Sequence, residues 1–222
     1  MQFFFHPLAS FCHKVLIALY EKDIAFEPVI VDLGDPEEMS RFRRLSPMGQ
    51  IPVLVDEQGE PIGETSVIIE YLDQRFPQAP RLLPTDTRAA LAVRYWDRFY
   101  DFQVEVPMQK IVTDRLRPEP SSDAFGVEQA RAQLRAAYAV IDRQLSTGPW
   151  AAGEDFTMAD CAAEPGLFYA NTVEPIGVEF PHAAAYLDRL MRRPAVTRVL
   201  KEAAPYFRYF PMPVKPDIAM LA

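Results

Sequence analysis

Proline sets the tightest limit on how this chain can fold. A proline ring inside a helix removes one backbone hydrogen bond and clashes with the preceding turn. The 222 residues hold 21 prolines, against an average usage of about 5%. Long helices are therefore expected only in the proline-free windows, at 8–27, 62–76, 85–106, 121–148, 150–164 and 182–193. Up to Pro84 the prolines are dense and short apolar runs alternate with two helical patterns. Beyond it the windows lengthen and the periodicity becomes mostly helical. The segment Gln78-Ala-Pro-Arg-Leu-Leu-Pro84 reads as a linker, which predicts two domains, at 1–78 and 85–222.

The excess of proline does not signal disorder. Glycine supplies only 9 residues, while 49% of the chain is hydrophobic and 12% aromatic, enough for a sizeable core.

Within the first region, Gln2–Phe5 reads as a strand. Phe11, Val15, Ala18 and Leu19 recur at helical spacing and mark one apolar face over roughly 11–22. Phe26–Val31 reads as a second strand, and Asp35-Pro36-Glu37-Glu38 as a helix start with proline just inside and acids in the first turn. Pro52–Val55 and Pro61–Ile62 flank the turn Asp56-Glu57-Gln58-Gly59, and a helix follows from Glu64 to about Phe76. The order β-α-β-α-β-β-α predicts a small layered α/β domain. In the second region, Val127, Ala130, Leu134, Tyr138, Ile141 and Leu145 trace one stripe of a long helix. Phe156-Thr157-Met158-Ala159-Asp160-Cys161 has the pattern of a capping box with a hydrophobic staple.

Charge and cysteine content limit the partners. With 31 acidic against 23 basic residues the formal net charge is −8, a field that repels phosphate backbones and anionic lipid. The local basic group Arg41, Arg43 and Arg44 reads as a solvated helix face. Cys12 and Cys161 are too few to staple a secreted fold and lack metal-site spacing. The opening Met-Gln-Phe-Phe-Phe has no signal-peptide pattern, and no stretch approaches the ~18 apolar residues of a membrane span. A cytoplasmic protein without nucleic-acid, membrane or metal partners is expected.

Three segments of the first region can carry chemistry. His6-Pro-Leu-Ala-Ser10-Phe11-Cys12-His13-Lys14 leads from strand to helix, and a helix N-terminus favours an anion there. Ser10 can hydrogen-bond a bound thiolate or simply cap the helix. Cys12 can be a nucleophile or a small buried hydrophobe. Ser46-Pro-Met-Gly-Gln50-Ile51-Pro52-Val53 enters a strand through an X-Pro bond. If that bond is cis, the Ile51 backbone turns outward, free to pair with an extended peptide; if trans, it only starts the strand. Gly63-Glu64-Thr65-Ser66 precedes a helix and suits either a ligand carboxylate and ammonium group or an N-cap.

In this order and spacing the three segments, together with Phe156-Thr-Met-Ala-Asp160, resemble the cytosolic glutathione S-transferase superfamily over essentially the whole chain. The resemblance implies a thioredoxin-like N-terminal domain, an all-helical C-terminal domain and a homodimer. It also implies glutathione as co-substrate, and a hydrophobic electrophile conjugated to its sulfur. Ile51 before cis-Pro52 would pair with the cysteinyl backbone of glutathione. Glu64 and Thr65 would hold the γ-glutamyl end, and Gln50 would reach the glycine end.

Aligning on Lys14-Val15 puts Ala9 where the family has its sulfur-contacting residue. Ser10 is then the first candidate for that role and Cys12 the second, the amides of the helix N-terminus alone being the third way to lower the thiol's pKa, with His13 facing solvent. Phe102, Met108, Tyr169 and the tail Pro205-Tyr-Phe-Arg-Tyr-Phe210 are candidates for the electrophile pocket. Asp97 and Asp101 are candidates to face a partner subunit's glutathione. The alternatives are Cys12-dependent thiol–disulfide exchange and a non-catalytic interaction protein.

Overall fold

The computed structural model describes residues 1–219. Its first part follows the expected order: β1 (Gln2–Phe5), α1 (Ser10–Glu21), β2 (Glu27–Ile30), α2 (Pro36–Phe42), β3 (Val53–Val55), β4 (Pro61–Ile62) and α3 (Thr65–Arg75). The strands form one mixed sheet in the order β2-β1-β3-β4. β1 runs parallel to β2 and antiparallel to β3, with Phe4 opposite both Val29 and Val53.

Alternation along the strands sorts the side chains between two layers. Phe3, Phe5 and Leu54 belong to the main core with α1 and α3. Phe4, Val53 and Val55 turn to the other face, where they meet Val31 and Phe42 beneath α2. Asp35 caps α2 by accepting from the amides of Glu37 at 2.8 Å and Glu38 at 3.3 Å.

From Thr87 onward the chain is helical: α4 (Thr87–Phe99), a π-helical turn (Tyr100–Glu105), α5 (Val106–Asp114), α6 (Ala124–Leu145), α7 (Met158–Val173), α8 (Pro181–Met191) and α9 (Pro194–Ala203). Proline acts in two ways here. Pro36, Pro181 and Pro194 open helices, where a missing N–H costs nothing. A π turn, the kind of bulge that accompanies helix distortion, ends two residues before Pro107. Pro165 lies inside α7, so that helix runs past the limit its window suggests.

The capping box is formed: the Asp160 carboxylate accepts from the Thr157 amide at 2.8 Å and hydroxyl at 3.0 Å. It also accepts from the Ala151 amide at 2.9 Å and the Tyr186 hydroxyl at 2.5 Å. On α6 the stripe from Ala130 to Leu145 is buried, with Val127 at its half-buried start.

The two parts share a single continuous core. It runs from Phe3 and the α1 residues Val15, Leu16 and Leu19 through Tyr100 and Leu167 to Phe207 and Phe210. The segment 78–84 is docked rather than loose. Leu82 and Leu83 are buried, the Leu82 carbonyl accepts from the Met158 amide at 2.8 Å, and the Asp73 carboxylate accepts from both leucine amides. No helix among the described residues is long and apolar enough to cross a membrane.

Candidate active site

The ends of several elements converge on one cleft of about 660 Å³. The loop 46–52 forms one wall. Ser46 braces it, its hydroxyl accepting from the Gln50 amide at 3.0 Å and donating to the Gln50 carbonyl at 2.8 Å. Gly49, at φ 68°, makes the turn between them; glycine is the residue that adopts this conformation without steric cost. The Ile51–Pro52 bond is cis. Among the described residues neither the amide nor the carbonyl of Ile51 has a hydrogen-bond partner.

The floor is the start of α3. Glu64 sits just before it at φ 63°, a strained conformation for a residue with a side chain, and its carboxylate is exposed. Thr65 is buried at the first helical position, beside amides that have no partner within the helix. Behind it the Ser66 hydroxyl donates to Asp97 at 2.6 Å and accepts from Lys14 at 3.0 Å. The Lys14 ammonium is fully buried between Asp97 at 2.7 Å and Asp101 at 2.8 Å. Arg98 closes this network from the cleft side, contacting Ser66, Asp97 and Asp101. Burial raises the Asp101 carboxyl, opposed by Lys14.

The third wall is the start of α1. Ala9 is its N-cap and supplies no side-chain bond. Ser10, mostly buried, lines the cleft and donates to the Glu105 carboxylate from the π turn. Phe102 and Val106 from the same stretch complete the cleft, together with Leu33, Leu45 and Met48 from the sheet side.

Ser10, Gln50, Ile51, Pro52, Glu64 and Thr65 thus meet in one place. Cys12 does not join them. It is fully buried one turn into α1 and does not line the cleft, and burial pushes its thiol up to about 12. Of the two readings of Cys12, nucleophile or small buried hydrophobe, the burial corrects the first: the thiol is core packing.

His13 is also a correction, since it is fully buried rather than facing solvent. Its Nε2 lies 2.6 Å from the Pro7 carbonyl, and burial lowers its pKa to about 4. Asp97 and Asp101 are buried and paired with Lys14, and Asp101 also lines the cleft. Of the candidates for the electrophile pocket, Phe102 lines the cleft and is exposed. Met108, Tyr169, Phe207 and Phe210 are buried in the core, the Tyr169 and Phe210 rings stacked at 5.5 Å. Sequence reasoning did not find Arg98, Glu105 or Gln109, because nothing in their spacing shows which face of α4–α5 meets α1.

This architecture carries a family match over most of its length. Residues 9–75 match the family described as "Glutathione S-transferase, N-terminal domain", and residues 99–194 match "Glutathione S-transferase, C-terminal domain". The chain belongs to the glutathione S-transferase family. Within that family it is 30% identical over 205 residues to a glutathione S-transferase of Pseudomonas putida, covering 89% of this chain and 90% of that protein. It is likewise 30% identical over 201 residues to a stringent starvation protein A homolog of Pasteurella multocida, covering 88% of this chain and 87% of the relative. A glutathione S-transferase of Methylobacillus flagellatus, solved with glutathione bound, superposes with a TM-score of 0.82 at 29% identity, covering 89% of this chain and 98% of that one. The glutathione S-transferase fold therefore accounts for the sheet, the cis-proline loop and the helical second part together.

Proposed function

We propose that this family member is a glutathione transferase, which binds glutathione in the cleft as a thiolate and joins its sulfur to an apolar electrophile. The observation that carries this reading is the convergence of three backbone features on one cleft. These are the unpartnered Ile51 amide and carbonyl, the α3 N-terminus at Thr65, and the α1 N-terminus at Ser10.

Each feature matches one part of the tripeptide. Ile51 offers a donor and an acceptor to the cysteinyl backbone, in the manner of an added strand. The Thr65 hydroxyl and the free α3 amides suit the γ-glutamyl carboxylate, and the exposed Glu64 carboxylate suits its ammonium group. Gln50, exposed at the loop end, reaches toward the glycine carboxylate. The sulfur then falls at the α1 N-terminus beside Ser10, where the helix field and a hydroxyl donor stabilise an anion. Phe102, Val106, Leu33 and Met48 form the apolar side from which the electrophile approaches. Rate enhancement comes from thiolate formation and positioning, without a covalent enzyme intermediate.

We place the domain division at 1–78 and 85–222. The reading includes a homodimer, supported by the exposed apolar patch of Leu91, Tyr95, Phe102 and Val140 on the α4–α6 face.

One observation favours a second reading, that of a non-catalytic interaction protein. Ala9 cannot donate to a sulfur, and Ser10 already donates to Glu105. Calorimetry with glutathione, followed by conjugation of an aryl halide, separates the two. Binding with turnover that falls in Ser10→Ala supports the transferase. Binding without turnover supports the interaction protein, and no binding refutes the transferase. Thr65→Ala, which removes one hydrogen bond to a charged group, is expected to weaken glutathione by about 1.5–3 kcal/mol, or roughly 10- to 100-fold.

A further inference from the structure

Behind Ser10 lies a group of buried polar atoms that the cleft itself does not use. Glu105, at the end of the π turn, accepts through Oε1 from the Ser10 hydroxyl and from Gln109 Nε2 at 3.3 Å. Its Oε2, both oxygens of Glu164 and the Tyr169 hydroxyl have no hydrogen-bond partner among the described residues. All three residues are fully or almost fully buried. Among the described residues neither Glu105 nor Glu164 forms an ion pair, and two carboxyl groups enclosed in this way do not both remain ionised, because each disfavours charge on the other and burial disfavours both. A buried, uncompensated carboxyl of this kind holds a proton readily.

We propose that Glu105, through Ser10, is the acceptor for the proton that glutathione loses when it becomes a thiolate, and that Glu164 keeps Glu105 ready to take it up. The proposal rests on the glutathione reading above. When the S–H bond breaks, its electron pair stays on sulfur and its proton passes to Ser10 Oγ. Ser10's own proton passes at the same time to Glu105 Oε1, forming the carboxyl O–H bond.

The hydrogen-bond chain reverses direction in the process. Before transfer Ser10 donates to Glu105; afterwards Glu105 donates to Ser10, and Ser10 donates to the thiolate. One negative charge moves from the interior to the cleft and none is created. After conjugation the proton returns through Ser10 to solvent, matching the group displaced from the electrophile. This resolves the apparent conflict of a serine whose only proton points away from the sulfur.

The electrostatic setting suits a reversible acceptor. Burial, followed by Asp101, raises Glu105; the Ser10 hydrogen bond, Lys14 and Gln109 lower it, leaving it at about 7. Burial and Glu105 push Glu164 up to about 8. From α1 the group is faced by Ser10, Cys12, His13 and Lys14. From α7 it is faced by Glu164 and Tyr169, and from its own helix by Asp101 and Gln109. Of these, Cys12, His13 and Tyr169 are neutral at this pH, since burial raises the thiol and phenol and lowers the imidazole.

A proton inventory tests the proposal. Glutathione is titrated into the protein at about pH 7.5 in two buffers of different ionisation heat, while thiolate is counted by its ultraviolet absorbance. With Glu105 as acceptor, the wild type forms thiolate but releases markedly fewer protons than thiolates, by as much as one per site. In Glu105→Gln and in Ser10→Ala the two counts become equal, or thiolate is lost. Glu164→Gln, which leaves Ser10 and Glu105 in place, shifts the pH at which the wild-type discrepancy appears. Equal counts in the wild type overturn the relay while leaving glutathione binding intact. So do folded Glu105→Gln and Ser10→Ala variants whose counts match the wild type. Absence of any glutathione heat overturns the underlying binding reading instead. The wild-type count stands alone if a buried variant fails to fold.

Discussion

Replacing Asp73 with alanine should release the segment that joins the two halves of the molecule. The carboxylate is buried at the end of α3, 2.7 Å from the Lys22 ammonium, and accepts from the Leu82 and Leu83 amides at 3.1 and 2.8 Å. The Lys22 ammonium is itself buried and, among the described residues, otherwise donates only to the Pro80 carbonyl, at 2.8 Å. If the segment stays docked in Asp73→Ala, an unpaired buried ammonium costs about 3–5 kcal/mol. Each orphaned amide adds about 1–3 kcal/mol. If it peels away instead, the amides and ammonium reach water, but Leu82 and Leu83 lose burial at about 1.5–3 kcal/mol each. Peeling is the cheaper response, and the expected loss is about 4 kcal/mol.

Two assays read that loss. With a urea slope of about 2–3 kcal/mol/M, the midpoint should fall by more than about 1 M. Trypsin cleavage after Arg81 should accelerate roughly 100-fold, because the opening energy that protects the Arg81–Leu82 bond drops by about 3 kcal/mol. Lys22→Met combined with Asp73→Leu should recover part of the loss, since an apolar pair leaves no buried charge unmatched. A Asp73→Ala variant within about 1 kcal/mol of wild type, with unchanged cleavage, would refute the reasoning.

Three further outcomes are expected. Tyr95→Glu places a charge in the exposed α4–α6 patch and should convert a dimer to monomers in sedimentation; an unchanged assembly places the interface elsewhere. His13, with its folded pKa lowered to about 4, leaves the unfolded chain binding the extra proton first. Stability should therefore fall by about 3 kcal/mol as pH drops from about 6.5 to about 4, and urea midpoints across that range should flatten in His13→Asn. Glu164 has the opposite sign: its folded pKa of about 8 means its stabilising protonated form is fully present below about pH 4.5 and lost as pH rises through about 8. Glu164→Gln should then be more stable than wild type at about pH 9, by roughly 4 kcal/mol, and equal stabilities there would contradict an enclosed, unmatched carboxyl.

What the sequence made legible was whatever is decided locally. Proline positions bounded the helices except at Pro107 and Pro165, Asp35 and the Thr157–Asp160 pair capped them, and the alternation in Gln2–Phe5 sorted the sheet faces. Ser10, Gln50, Ile51, Pro52, Glu64 and Thr65 were legible as candidates, because each belongs to a short contiguous turn at an element boundary, whereas Arg98 and Gln109 on the cleft wall were not. His13 was misjudged, and Cys12 was left open between nucleophile and buried hydrophobe. Phe11, Val15, Ala18 and Leu19 describe a helix with one buried face, and His13 falls opposite them. In the fold α1 is covered on both sides, by the sheet and by α7, so its polar face is interior as well. No pattern within α1 states that. The same holds for Glu105 and Glu164, which the sequence does not single out and which are buried where α4, α5 and α7 close around α1.

That enclosure explains why the chemistry of the first half depends on the second. On α1, Ser10 and Lys14 are one turn apart; on the neighbouring helix, Glu105 and Asp101 are likewise four residues apart, running the other way. Ser10 meets Glu105 and Lys14 meets Asp101, so the two helices touch through an antiparallel ladder of polar pairs. Asp101 and Glu105 both lie within the π turn, and Pro107 follows directly. A π turn carries one more residue than an α turn, which rotates every later side chain around the helix axis. Asp101 and Glu105, four residues apart, lie on one face of their helix, so a single surface meets both Lys14 and Ser10. Pro107 lies two residues beyond Glu105, so the helix that supplies the partner of Ser10 continues through a proline that the sequence marks only as a breaker.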